Sequence, residues 1–291
     1  MSLSAVVLVL LSAVIHATWN LVVRARGVSQ TFIRIPVIIA IVGLVPALWL
    51  EFYHTPFPAP VWGLLMVSSI FQGIHHFGLT MGYQRGDFTL VYPIVRALPV
   101  LFLALFDLAR GRNPSLPAWL GMTLVALGCL VIPHTSLRTL RWTVYTSAIL
   151  LWVLMAALGT VGYSIMDKFA AESLPSDATM AARYFVLEMT CSTFTLASLL
   201  TLAGQPTGLR PWYKGWKWPM LAAMGVFTSY WLILWVYQIN AHASYVVAMR
   251  QFSIVIGTIA GTLLFREPAP TLRITASVLI AVGVICIALG G

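Results

Sequence analysis

Apolar residues in this chain run together instead of alternating with polar ones. Ten stretches show this: 3–23, 31–50, 60–83, 88–108, 117–134, 143–168, 179–203, 217–240, 244–265 and 271–289. A run of roughly 20 apolar residues is long enough to cross a bilayer as a helix, and a helix satisfies every backbone polar group internally. The breaks fall where turn chemistry is dense: Pro56 to Pro60, Gly86-Asp87, Gly111 to Pro114, Pro175-Ser176-Asp177, Gln205-Pro206 and Glu267-Pro268. Trp49, Tyr53, Trp62, Trp142, Trp212, Trp216 and Trp218 gather near the ends of the runs, as an interfacial aromatic belt would. The first run lacks a basic segment before it, because the first cation is Arg24, and it reads as a retained span and not a signal peptide.

The pattern repeats. At an offset of 154 residues Tyr83-Gln84 falls on Tyr237-Gln238, Arg96 on Arg250, Arg112 on Arg266 and Pro114 on Pro268. At an offset of 144, His16, Asn20 and Arg24 of the first run fall on Thr160, Ser164 and Lys168 of the sixth. The expectation is an all-α membrane protein of ten transmembrane helices built as two five-helix repeats, residues 1–134 and 143–291. Five is odd, so two such units in series insert with opposite orientation, which makes the repeat an inverted one.

Composition narrows the class. Of 291 residues 60% are hydrophobic and 9% charged, against about 25% charged in a soluble domain, and the mean hydropathy is +0.91. The net charge of +9 comes without a dense basic run, which argues against a nucleic-acid partner. Cys129, Cys191 and Cys286 lie in apolar runs without ligand spacing, so neither a metal nor a cofactor is expected. Clustered carboxylates or a nucleophile–base pair near a headgroup interface are missing, which argues against an enzyme. Loop cations number ten after the odd-numbered spans and at most three after the even-numbered ones. That bias predicts cytoplasmic odd loops and both termini outside.

The segments His16-Ala17-Thr18-Trp19-Asn20, Tyr92-Pro93-Ile94-Val95-Arg96-Ala97-Leu98-Pro99 and Pro114 to Ile132 resemble the drug/metabolite transporter superfamily, in its bacterial EamA-type branch. The resemblance covers nearly the whole chain. It implies a secondary transporter of the bacterial inner membrane, with a substrate drawn from amino acids, nucleotide sugars, sugar phosphates, drugs or other small metabolites. The sequence departs from that family at Arg112-Asn113-Pro114, where many members have an acidic residue; the second half keeps Arg266-Glu267-Pro268. Typical members keep both termini in the cytoplasm, opposite to what these loop charges predict.

The candidate site follows from polar residues inside apolar runs. Arg96 and Arg250 lie at aligned depths of spans 4 and 9, and an intramembrane arginine is a functional candidate by default. With Tyr92 one turn from Arg96, such a pair suits a carboxylate or phosphate. His16 and Asn20 share a helix face in span 1, as do Thr160 and Ser164 in span 6. Trp19 and Tyr163 adjoin these ladders, and His76 aligns with Tyr230 in the third spans of the halves. Glu188, near the middle of span 7, is a proton-coupling candidate or a charge partner of Arg183 or Arg250. Asp107 and Asp167 read as interfacial, and Lys168 as snorkelling to the interface. Pro93 and Pro99 suggest a hinge in span 4. Gly257 and Gly261 suggest close packing, within the chain or in a homodimer. The expected function is alternating-access carriage of a small anionic or zwitterionic metabolite. The rival is export of hydrophobic cations or drugs through an aromatic-lined cavity.

Overall fold

The computed structural model describes residues 1–26, 33–85, 88–131, 149–210, 214–265 and 271–290, less the side chains of 23–26, 83, 85, 88–94, 149, 264 and 265. Tyr92, Pro93, Arg24, Arg266, Glu267 and the 134–142 junction between the halves therefore lie outside the described side chains. Of the described residues 86% are helical, and none is in a strand. The helices are α1 (Leu3–Arg26), α2 (Arg34–Tyr53), α3 (Ala59–Arg85), α4 (Phe88–Ala109), α5 (Leu116–Val131), α6 (Ile149–Glu172), α7 (Ala178–Leu202), α8 (Lys217–Ile239), α9 (Ala243–Arg250), α10 (Phe252–Phe265) and α11 (Thr271–Gly290). Helices α9 and α10 together occupy the ninth predicted span, so these elements correspond to the ten predicted spans.

Both faces of the outer helices are apolar, as a lipid solvent requires. In α1 one stripe, Ala5, Val9, Ala13 and Ala17, is buried, while Leu3, Val7, Leu11 and Val14 are exposed. The inner stripe is small, so backbones approach closely; the outer one is branched and bulky. Among the described residues seven segments are long and apolar enough to cross a membrane. Helix α3 is long enough but more polar, because it carries Ser68, Ser69, Gln72, His75 and His76 toward the interior.

Helix α3 packs on α6 and α7, and α8 packs on α1 and α2. Helix α4 lies against α5, α6 and α9, and α10 lies against α1 and α11. Helix α2 meets α7, and α5 meets α11. The α5–α11 crossing depends on glycine. A Cβ added at Gly121 would sit 2.5 Å from the Gly283 carbonyl oxygen, and one added at Gly283 would sit 2.5 Å from that of Gly121. Gly78 and Gly159 play the same part where α3 crosses α6, with a would-be Cβ 2.7 Å from Ala156 N and 2.8 Å from His75 N. Gly257, expected in that role, has nothing within 4 Å of a would-be Cβ.

The helix interruption falls in span 9, and α4 runs unbroken through Pro99. At Gln251 the side-chain amide donates to the Val247 carbonyl at 3.0 Å, taking the acceptor that a helical Gln251 N–H would use. The Gln251 N–H turns to Ala248 O at 3.0 Å, a tighter 3₁₀-type bond. The break lies one residue beyond Arg250.

Candidate functional site

The interruption in span 9 and the inner stripe of α1 bring three groups together. The imidazole of His16, itself buried, lies between the two aligned arginines. Its Nε2 meets an Nη of Arg96 in a close contact, and its Nδ1 meets Nη2 of Arg250 at 3.1 Å. A guanidinium only donates. A neutral imidazole accepts at one nitrogen only, since the other carries the hydrogen. At least one of the two contacts therefore sets donor against donor.

The surroundings add donors. Trp19 stacks edge-on against His16, with ring centroids 4.9 Å apart. Trp19 Nε1 and Arg250 Nε are buried atoms without a hydrogen-bond partner among the described residues. Among the described residues no carboxylate comes within ion-pair distance of Arg250. The Arg250 guanidinium lies over the Tyr230 ring, 5.1 Å from its centroid, a cation–π contact. Arg250 is half-buried.

Other expected residues take varied places. Tyr163 is buried between Tyr230 and His75, with ring centroids at 5.8 and 5.6 Å. Of the two adjacent histidines, His75 meets α6. Its Nδ1 lies 2.9 Å from Thr160 Oγ1 and 2.8 Å from the Ala156 carbonyl. His76 is buried one position round the helix. Aligning it with Tyr230 could not fix that rotation. Asn20 donates to its own helix, at the His16 carbonyl, 2.7 Å away. Ser164 is buried on α6.

Glu188 does not meet Arg183. Arg183 pairs with Glu51 at 3.6 Å and donates to the Thr55 carbonyl at 2.6 Å, tying α7 to the α2–α3 turn. Glu188 instead faces Ser68 of α3, whose hydroxyl lies 3.0 Å from Oε1. The same hydroxyl lies 2.5 Å from Asp167 Oδ1. Tyr184 and Tyr230 also donate to Asp167, at 3.1 and 2.5 Å. Asp167 is fully buried, not interfacial as the sequence suggested. Its position near the end of an apolar run misled, because run edges mark neither depth nor rotation.

Two more ionic groups join the halves. Asp107 of α4 accepts from the Ala243 and Ser244 N–H groups at 3.2 and 2.9 Å and from Ser244 Oγ at 2.5 Å, so it caps α9. Lys168 does not snorkel outward. Its ammonium donates to the Tyr237 and Asn240 carbonyls at 2.7 and 2.5 Å, at the C-terminus of α8, and pairs with Glu172 at 3.0 Å. Glu172 also binds Arg110 at 2.9 Å and, closely, Arg112. Arg112 in turn donates to the Ala241 carbonyl at 2.6 Å. The α4–α5 turn, the end of α6 and the α8–α9 turn are thereby held together.

A helical bundle with lipid-suited outer faces and buried ionic groups defines a polytopic membrane protein. Residues 3–133 match the family model of the EamA-like transporter family, and that match implies a membrane transporter of the drug/metabolite type. Among curated proteins no relative matches. A solved structure described only as "Crystal structure of protein" has the same fold, with a TM-score of 0.67 and 16% identity over 98% of each chain.

Proposed function

We propose that this protein carries a small anionic or zwitterionic metabolite across the bacterial inner membrane by alternating access, binding it between Arg96, His16 and Arg250. The observation that carries this reading is the His16 imidazole facing a guanidinium at each ring nitrogen. An acceptor with two or more oxygens, a carboxylate or a phosphoryl group, placed among these groups would relieve the donor conflict. It would also offset two like charges where water is scarce. Trp19 Nε1 and Arg250 Nε are further donors available to such a group.

The helix pairings support an inverted repeat. Exchange α1 with α6, α2 with α7, α3 with α8, α4 with α9–α10 and α5 with α11, and several of the main helix contacts map onto one another, although α6–α8 and α7–α8 lack a counterpart of similar weight. The α3–α6 contact becomes α8–α1, α3–α7 becomes α8–α2, and α4–α5 becomes α10–α11. Substrate then sits where the halves meet, and rocking one half against the other exposes it to alternate sides. The Arg110–Arg112–Glu172–Lys168 cluster closes one such side. Loop charges favour both termini outside, and a cysteine near residue 2 is then labelled by an impermeant maleimide in intact cells; protection would reverse the orientation.

The test is a thermal-stability screen of the detergent-purified protein against phosphonates, phosphate esters, amino acids, carboxylates and lipophilic cations. A ligand at ~100 times its dissociation constant adds about 2.7 kcal/mol to the folded state. The reading expects shifts from anions that vanish in Arg96→Gln and Arg250→Gln. Shifts from lipophilic cations alone, unchanged in those variants, would favour export of cations through the Tyr163–Tyr230 aromatic cluster.

A further inference from the structure

Asp167, Ser68 and Glu188 form a polar cluster buried at the α3–α6–α7 contact, next to the arginine site but with chemistry of its own. All three side chains are fully buried. Among the described residues neither carboxylate has a cation within ion-pair distance. The groups around them are hydroxyls and a thiol: Tyr184 from α7, Tyr230 and Tyr237 from α8, Tyr163 from α6, Ser68 from α3, and Cys191 one turn from Glu188 on α7. Asp167 accepts from Tyr184, Tyr230 and Ser68, which uses the single Ser68 hydrogen. Ser68 Oγ nonetheless lies 3.0 Å from Glu188 Oε1. Two bare oxygens at that distance repel, so a second hydrogen must sit on one of the two carboxyls, and Asp167, which also accepts from two tyrosines, is the better anion of the pair. The other Glu188 oxygen, Oε2, is buried and without a hydrogen-bond partner. A carbonyl oxygen tolerates that isolation far better than an anionic one.

We propose that Asp167, Ser68 and Glu188 form a proton-binding site in which one proton resides on Glu188 and is relayed by Ser68 to the Asp167 carboxylate. The site touches the arginine cluster through one side chain. Tyr230 donates to Asp167 and carries the Arg250 guanidinium over its ring. An anion drawn to Arg250 and a proton on the Glu188–Asp167 pair thus act on the same tyrosine from its two sides. A role as the coupling site of transport rests on the carrier reading above; the proton site itself does not.

The experiment uses the full chain in detergent and needs no substrate. A hydrophobic carbodiimide adds only to a protonated carboxyl, and peptide mass spectrometry locates the adduct. Labelling of Glu188 is expected, falling as pH rises, lost in Glu188→Gln and retained in Glu51→Gln. Infrared spectra of the same samples are expected to show a protonated-carboxyl stretching band that Glu188→Gln abolishes and Ser68→Ala shifts. Wild-type protein without that band, or with a band indifferent to both Glu188→Gln and Asp167→Asn, overturns the proposal. So does a band that sodium removes at constant pH and ionic strength, since the site would then hold a metal cation. Any of these results leaves the arginine site standing. Loss of anion binding in Arg250→Gln would conversely leave the Glu188 adduct untouched.

Discussion

Replacing Asp107 by asparagine tests the contact that places Arg250. The carboxylate is buried and takes three donors, the Ala243 and Ser244 N–H groups and the Ser244 hydroxyl. Asparagine keeps the shape and one acceptor oxygen, but its amide nitrogen turns a donor toward donors. With its oxygen at the Oδ2 position it keeps both Ser244 bonds and loses the Ala243 one, a charge-assisted bond of about 1.5 kcal/mol or more, so with the removed charge a loss of about 2–3 kcal/mol is expected. The removed charge also faced the N-terminus of α9, where an anion contributes up to about 2 kcal/mol in a buried setting. Ser244→Ala removes only the hydroxyl bond and should cost about 1 kcal/mol. The assay is equilibrium unfolding by steric trapping in bicelles, on both single variants and the double. Coupling between them is expected, because they share one carboxylate. An Asp107→Asn variant within about 0.5 kcal/mol of the wild type, the range of ordinary surface changes, would refute the reasoning.

Three further outcomes are expected. Gly121→Ala and Gly283→Ala each push a methyl onto a facing backbone carbonyl and should destabilise by about 1–3 kcal/mol, whereas Gly257→Ala, with open space around it, should be neutral or stabilising in a thermal melt. Arg34 donates to the Gly208, Leu209 and Lys214 carbonyls, so Arg34→Lys, with no planar fork, should speed protease cleavage between residues 205 and 216 several-fold in limited proteolysis. Burial holds the His242 imidazole below its ordinary value of 6.5. The unfolded chain then binds that proton more readily. Stability from this source is full at neutral pH and declines as pH falls below about 6.5, and His242→Gln should flatten that acid slope in melts run as a function of pH.

The sequence announced spans and intramembrane arginines because each leaves a mark in one dimension: run length and a charge where charge is costly. Arg96 and Arg250 stood out for that reason, and the structure brings both to His16. Depth and rotation leave no such mark. Asp107, Asp167 and Lys168 lie near run ends and read as interfacial, yet Asp107 is buried against α9, Asp167 across the α3–α6 contact and Lys168 against the end of α8. The two adjacent histidines raise the same question, since neighbouring residues differ by about 100° around a helix and only packing says where each points. The interruption at Gln251 was hidden because a glutamine in an apolar run carries no breaker signal; its amide competes for a carbonyl only once the fold is formed.

The most direct measurement is counterflow of a labelled anion, chosen from the stability screen, into proteoliposomes holding the wild type, Arg96→Gln, Arg250→Gln or His16→Ala. The account predicts saturable exchange by the wild type and at least a tenfold loss in each arginine variant, about 1.4 kcal/mol of lost transition-state binding or more. Exchange of that anion at wild-type rate in both arginine variants would contradict it.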